Sequence, residues 1–294
     1  MEQKKPGMGW IPDLPSLHDY TPEHQHIQPL VDKFKLKSPQ VPLASKVDLR
    51  QWFSPIKNQG HINSCTAFAS TALVEYYEKR AFGRYLQTSP MFLYKATKNL
   101  LNITGNIGAY PRTAMEALTL FGVPPEEYWP YDADKIDVEP TAFCYAFAEN
   151  YKAIKYFRLD TPDCQKQDLL NRLKLFLAHG FPPMIGITLY NSILEAKKSI
   201  FKSGEIPYPG KNEKIVGGHA VAVAGYDDTV KITNPTDETV TTSGAFLIKN
   251  SWGTDFGEEG YGWLPYKYTL TGLTRDCWTL FKTTWIDTDN FGTL

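Results

Sequence analysis

Four residues whose types can together break an acyl bond stand far apart in this chain: Cys65, His219, Asn250 and Gln59. A thiol is a weak nucleophile until it ionises, and both the positive end of a helix and a neighbouring imidazole favour the thiolate. Cys65 opens the run CTAFASTALVEYYEKRAFG, in which Phe68, Ala72, Leu73 and Tyr76 recur at helical spacing. The run predicts a buried helix with Ser64 as N-cap, Cys65 as first residue and Gly83 as stop. Taken alone, Cys65 reads as well as a small buried hydrophobe, because free cysteine is among the most buried residue types. Gln59 lies six positions upstream in a Gly-containing loop that must turn back toward the helix start. Its carboxamide and the backbone N–H of Cys65 can therefore donate toward one point, which is what an oxyanion requires. His219 follows Gly217-Gly218 at the head of an alternating apolar segment, and Asn250 closes FLIKN. If those strands are neighbours, the carboxamide holds one ring nitrogen, the other faces a thiol, and Trp252 shields the contact from water. Singly, the histidine reads as a strand end, the asparagine as a turn former and Asn-Gln-Gly as a loop; together they point to a cysteine nucleophile.

The elements that must position these residues change character along the chain. SPMFLYKATKNL and YPRTAMEALTLFG predict two further amphipathic helices, the second closed by Gly122 and the prolines at 124 and 125. After a helix ending LKLFLAHG come MIGITLY, HAVAVAGYDD, GAFLIKNSWG and GYGWLPYKY, short β-branched or aromatic segments bounded by Gly, Pro or Asp. VKITNPTDETVTTSG between two of them reads as a polar hairpin or loop. Helices first and strands later predict an α+β chain in two halves with a cleft between them. Residues 46–152 form the mainly helical half with the nucleophile, and residues 153–294 the mainly β half with His219 and Asn250. Ahead of both, residues 1–45 carry seven prolines (Pro6, Pro12, Pro15, Pro22, Pro29, Pro39 and Pro42) of the 21 in the chain, which predicts an extended arm. Trp10, Ile11 and Leu14 are its candidate anchors.

With 294 residues, 42% hydrophobic and 14% aromatic, the chain has apolar material for a sizeable core. A net charge of -1 gives no drive toward nucleic acid or an acidic membrane surface. Cys65, Cys144, Cys164 and Cys277 form no CxxC pair, which argues against structural zinc and a disulfide scaffold, and leaves a Cys164–Cys277 pairing open. The start MEQKKPGMGWIPDLP has no apolar run behind it, so the expectation is a soluble protein without a signal peptide, cytoplasmic or exported by a non-classical route. His18, His24 and His26 share no ligand spacing with a carboxylate or thiol, so no metal site is expected there. His61 is a rim residue, and His179 ends a helix whose dipole suits it.

The blocks NQG–SC, GHAV and KNSWG–GxxGY, in that order, resemble the papain/cathepsin family of cysteine peptidases over most of residues 47–268. The match also takes in VDLRQWFSPIKNQG, similar to the start of the mature family domain, and GAYPRTAMEAL. By that resemblance Cys65 is the nucleophile, His219 the general base and acid, Asn250 its orienter and Gln59 the oxyanion donor. The fold would be papain-like, with a helical left domain and a β-barrel-like right domain. Asn63, Ser64, Gly108, Ala109, Gly218 and Trp252 would line the substrate cleft. The resemblance implies a cofactor-independent, monomeric thiol endopeptidase acting on proteins or peptides. Departures from the pattern are Ile62-Asn63 where the family has Cys-Gly, which removes a family disulfide, Thr66 after the nucleophile, Ala109 for a cleft glycine, and Gly218 where plant members often have Asp. The polar insert also separates His219 from Asn250 by 31 residues. Residues 1–45 do not resemble the long helical propeptide of the family; such an arm either lies in the cleft as a short inhibitory segment or packs on the back of the molecule. Two alternative functions remain at this stage: a catalytically silent papain-fold binding or inhibitory protein, and an amidase or transpeptidase using the same thioester.

Overall fold

The computed structural model describes residues 6–37, 42–152, 155–195 and 200–292. Its helical part is centred on α2 (Cys65–Phe82), an alanine-rich helix ended by Gly83 at φ 67°, a left-handed conformation in which glycine carries no Cβ penalty. The one-face pattern expected for α2 is only part of the truth, since every residue from Cys65 to Tyr77 is buried. A central helix packed on all sides must be mostly apolar and must pair what charge it buries, as Glu75 does with Lys57 at 2.8 Å. Around it lie α3 (Pro90–Leu101), capped by the Ser89 hydroxyl accepting from the Phe92 N–H, and α4 (Pro111–Phe121), which closes at Gly122 as the sequence predicts. Two further helices, α5 (Ala142–Ala148) and α6 (Lys166–Ala178), follow; His179 caps the latter with Nδ1 2.9 Å from the Leu175 carbonyl.

Among the described residues, seven strands form one antiparallel sheet: β1 (Lys46–Asp48), β2 (Lys155–Arg158), β3 (Met184–Tyr190), β4 (Ile215–Asn234), β5 (Asp237–Lys249), β6 (Tyr261–Pro265) and β7 (Thr274–Phe281). Their order is β2-β7-β3-β4-β5-β6, with β1 added to β4. The expected barrel is therefore an open sheet, with β2 and β6 at its ends. The polar insert is an extension of the β4–β5 hairpin: Lys231 to Thr233 pair with Ser243 to Thr241 beyond a register shift at Asp227. GYGWLPYKY is strand only to Pro265, after which Tyr266–Leu270 turns helical. The face of β4 that carries Ala220, Ala222 and Ala224 has side chains small enough to admit α2, and the two elements pack together.

The arm departs from its extended expectation. It contains α1 (Gln28–Lys33), which begins with proline in its first turn, where a missing N–H costs nothing. Ile27, Leu30, Val31 and Leu36 join the main core, and the Phe34 ring lies 5.0 Å from that of Phe181. Trp10 is buried, whereas Ile11 is partly exposed and Leu14 stands in solvent. Pro39 falls outside the described residues. All four cysteines are free, so Cys164 and Cys277 do not pair. Among the described residues, no helix is long and apolar enough to cross a membrane.

Candidate active site

Pairing of β4 with β5, with Ala222 opposite Lys249, brings the head of β4 beside the residue that follows β5. His219 Nε2 consequently lies 2.8 Å from Asn250 Oδ1, leaving Nδ1 as the ring nitrogen with no hydrogen-bond partner among the described residues. Trp252 stacks on the imidazole with centroids 4.6 Å apart, the cover expected of it. Packing of α2 against β4 sets Cys65 at the same place: the Ala220 N–H, one residue beyond His219, donates to Sγ at 3.3 Å.

Gln59 is fixed on three sides. Its N–H donates to the Ser251 carbonyl at 2.8 Å, and the Ser251 hydroxyl donates to Oε1 at 2.5 Å. With Nε2 also donating to the Ile62 carbonyl at 2.7 Å, the carboxamide is locked at both ends, one Nε2 hydrogen within its own loop and the other toward the cleft. The Tyr131 hydroxyl donates to the Gln59 carbonyl at 3.0 Å and lies 2.7 Å from Ser64 Oγ. Ser64 thus makes no side-chain cap on α2; its hydroxyl meets Tyr131 beside the Gln59 carbonyl instead. One residue before Asn250, Lys249 Nζ donates to the carbonyls of Ser54 and Pro55 at 2.9 and 3.0 Å, tying the end of β5 to the chain that leads into Gln59. Burial pulls the Lys249 ammonium down to about 8. Sequence reasoning missed Tyr131 and the part played by Ser251. The serine's place beside Asn250 was a signal, whereas Tyr131 offers none locally.

The cleft between α2 and the sheet is filled by the arm. The Gly7 carbonyl accepts from Gln59 Nε2 at 3.2 Å, and the Gly9 N–H donates to Cys65 Sγ at 3.2 Å. Met8 N–H donates to Asn63 Oδ1 at 3.0 Å and Trp10 N–H to the Gly218 carbonyl at 3.2 Å. On the other wall, Ala109 N–H donates to the Gly9 carbonyl at 2.8 Å and Ile11 N–H to the Ala109 carbonyl at 3.2 Å. A Cβ on Gly108 would fall 2.3 Å from the Gly9 oxygen, and one on Gly9 would fall 1.9 Å from the Asn63 oxygen, so backbone meets backbone on both sides. Of the predicted cleft residues, Asn63, Gly108, Ala109 and Gly218 line the arm, while Ser64 and Trp252 serve the residues behind it. His61 is an exposed rim residue, and His18, His24 and His26 lie on the arm's surface, where Tyr20 stacks on His24.

This plug reverses the electrostatics expected at a helix N-terminus. Cys65 is fully buried, and burial pushes its thiol up to about 11 against the helix-start and neighbouring N–H groups that favour the anion. Burial likewise lowers the His219 imidazole to about 4, the Asn250 contact opposing it. With the arm seated, both partners are held neutral.

Comparison with known proteins agrees with the sequence blocks. The family model described as papain family cysteine protease matches residues 43–278, and the chain belongs to that family. It is 33% identical over 242 residues to a peptidase C1-like protein of Acanthamoeba polyphaga mimivirus, covering 81% of this chain and 73% of the viral protein. Papain of Carica papaya is 25% identical over 231 residues, with 77% of this chain and 56% of papain covered. Among solved structures, xylellain, a cysteine protease from Xylella fastidiosa, superposes with a TM-score of 0.74 and 30% identity over 96% of this chain and 98% of its own.

Proposed function

We propose that this chain is a cysteine endopeptidase that its own N-terminal segment holds closed. Cys65 Sγ passes its proton to His219 Nδ1 and attacks the scissile carbonyl, while Asn250 holds the ring through Nε2. The oxyanion is received by Gln59 Nε2 and the Cys65 N–H. His219 then protonates the departing amine, a thioester remains on Cys65, and water deprotonated by His219 releases the acid product. The observation that carries this reading is the seating of the arm: one peptide carbonyl lies on the oxyanion donor and a peptide N–H lies on the thiol. The cleft thus already accepts a peptide backbone, and its present occupant blocks the nucleophile.

The test is hydrolysis of a fluorogenic peptide library by three full-length forms: native, Gly9→Val, and Gly9→Val with Cys65→Ala. The reading expects low turnover in the first, high turnover in the second and none in the third. Equal rates in the first two would end the autoinhibition half, and turnover that survives loss of the thiol would end the peptidase half.

A further inference from the structure

Trp10 does more than block. Its indole lies in a slot on the sheet, made by two absent side chains: a Cβ on Gly186 of β3 would fall 2.1 Å from Trp10 Cε2, and one on Gly218 of β4 would fall 2.7 Å from Cε3. At the end of the slot, on β7, stands Asp276, fully buried and at φ 52°, a left-handed conformation that costs a side-chain-bearing residue energy and so marks a constrained position. Asp276 Oδ2 accepts from Trp10 Nε1 at 3.0 Å and from the Asp13 N–H at 2.9 Å. The carboxylate is held from behind. Oδ1 lies 2.9 Å from an Arg158 guanidinium nitrogen, and Asp160, itself paired with Arg158, accepts from the N–H groups of Asp276 and Cys277 at 2.9 and 2.8 Å.

Both donors to Oδ2 belong to the arm. When the arm leaves, this oxygen faces the cleft with nothing from the rest of the chain to replace them, and whatever next enters the slot must supply a donor. A buried carboxylate oxygen without one carries a desolvation cost. A site built to bond an N–H rejects an analogue of the same shape that lacks it far more strongly than an apolar pocket rejects a missing methylene.

Resting on the peptidase reading above, we propose that the Trp10 slot is a substrate-specificity pocket in which Asp276 selects a fused aromatic ring bearing an N–H, so that the open enzyme takes peptides presenting tryptophan there. The two glycines set the size of the ring and Asp276 sets the demand for a donor.

Binding and turnover test this separately. The binding protein is the full chain carrying Cys65→Ala, Gly9→Val and Trp10→Ala, which empties the slot without removing the arm. The probes are the peptide Gly-Met-Gly-Trp-Ile-Pro-Asp and its twin with β-(3-benzothienyl)alanine for tryptophan, in which sulfur replaces the N–H. Calorimetry is expected to find the twin about 10- to 100-fold weaker, the range for one hydrogen bond to a charged group. Adding Asp276→Ala should bring the two peptides together, and Asp276→Asn, which keeps an acceptor oxygen, should leave part of the difference. Equal affinities, or no measurable binding of the tryptophan peptide, overturn the proposal. With Cys65 restored, a positional-scanning library should show one position preferring tryptophan to benzothienylalanine, and no such preference overturns the substrate assignment. If nothing is cleaved at all, the peptidase reading fails while the calorimetry still decides the pocket.

Discussion

Gly9→Val in the full-length chain is the sharpest single perturbation of the plug. A Cβ at this position would sit 1.9 Å from the Asn63 oxygen and 2.4 Å from its carbonyl carbon, and neither backbone atom can yield. The segment from Gly7 to Trp10 must lift, while α1 and its buried neighbours stay in the core. Lifting returns water to a thiol that burial holds at about 11. A free cysteine titrates near about 8.5, so at pH 7 the thiolate fraction rises from about one in ten thousand to about three in a hundred, roughly 300-fold. Iodoacetamide reacts with the thiolate, and the alkylation rate at Cys65, followed by mass spectrometry of its peptide, should rise by at least that factor. Partly exposed Cys164 and buried Cys277 serve as internal references whose rates should not move. A Cys65 rate within about threefold of native would refute the claim that the arm, and not the fold around Cys65, keeps the thiol protonated.

Three more outcomes follow from the same geometry. Because the closed state raises the thiol, closing is fully stabilised below the ordinary thiol value of about 8.5 and that stabilisation is lost as pH rises toward about 11. Native Cys65 should therefore alkylate about tenfold faster per pH unit with no plateau below pH ~9.5, converging on Gly9→Val at high pH, and an early plateau in stopped-flow profiles would contradict this. In the Gly9→Val background, Ser251→Ala removes the hydroxyl that holds Gln59 Oε1 and leaves the Ile62 carbonyl as the carboxamide's remaining tie; kcat for peptide hydrolysis should fall about tenfold with KM little changed, against about 100-fold for Gln59→Ala. Arg112→Gln removes the guanidinium that binds Asp13, Asp19 at 2.7 Å and the Leu14 carbonyl at 2.7 Å, so Cys65 alkylation should rise about 10- to 100-fold while the melting temperature moves only a few degrees.

How far the sequence could be read depended on the range of the forces involved. The helices from Cys65, Pro90 and Pro111 were legible because prolines and glycine stops act locally, and the strand from Met184 and the end of β5 from Ala245 because β-branched runs between turn residues do too. Gln59, Cys65, His219 and Asn250 could be grouped from the sequence because the chemistry expected of them demands those residue types together, and the fold gathers them at one cleft. The slot around Trp10 was not, since Gly186, Gly218 and Asp276 meet only through strand pairing across β3, β4 and β7. Tyr131 was hidden for the same reason, as its hydroxyl reaches Gln59 across 72 positions of chain. The arm's helix escaped because its prolines read as extension, while Ile27, Leu30, Val31 and Leu36 are ordered by a core that only the folded chain supplies.

Because Ile27 to Leu36 are built into the core, the plug at Gly7 to Asp13 is joined to them by a leash of about a dozen residues, exposed at Leu14 and Leu17 and pinned to the body where Asp19 meets Arg112 and the Tyr20 carbonyl accepts from the Arg158 N–H. A leash this short keeps the plug near its cleft at an effective concentration of about millimolar, so an arm that merely lifts returns at once. Severing the leash changes the arithmetic: the released fragment would diffuse into the bulk and have to rebind on its own affinity. On the autoinhibition proposed above, one cut between Asp13 and Ile27 would thus turn a reversible closure into a lasting opening, while the anchored remainder went on serving as part of the core.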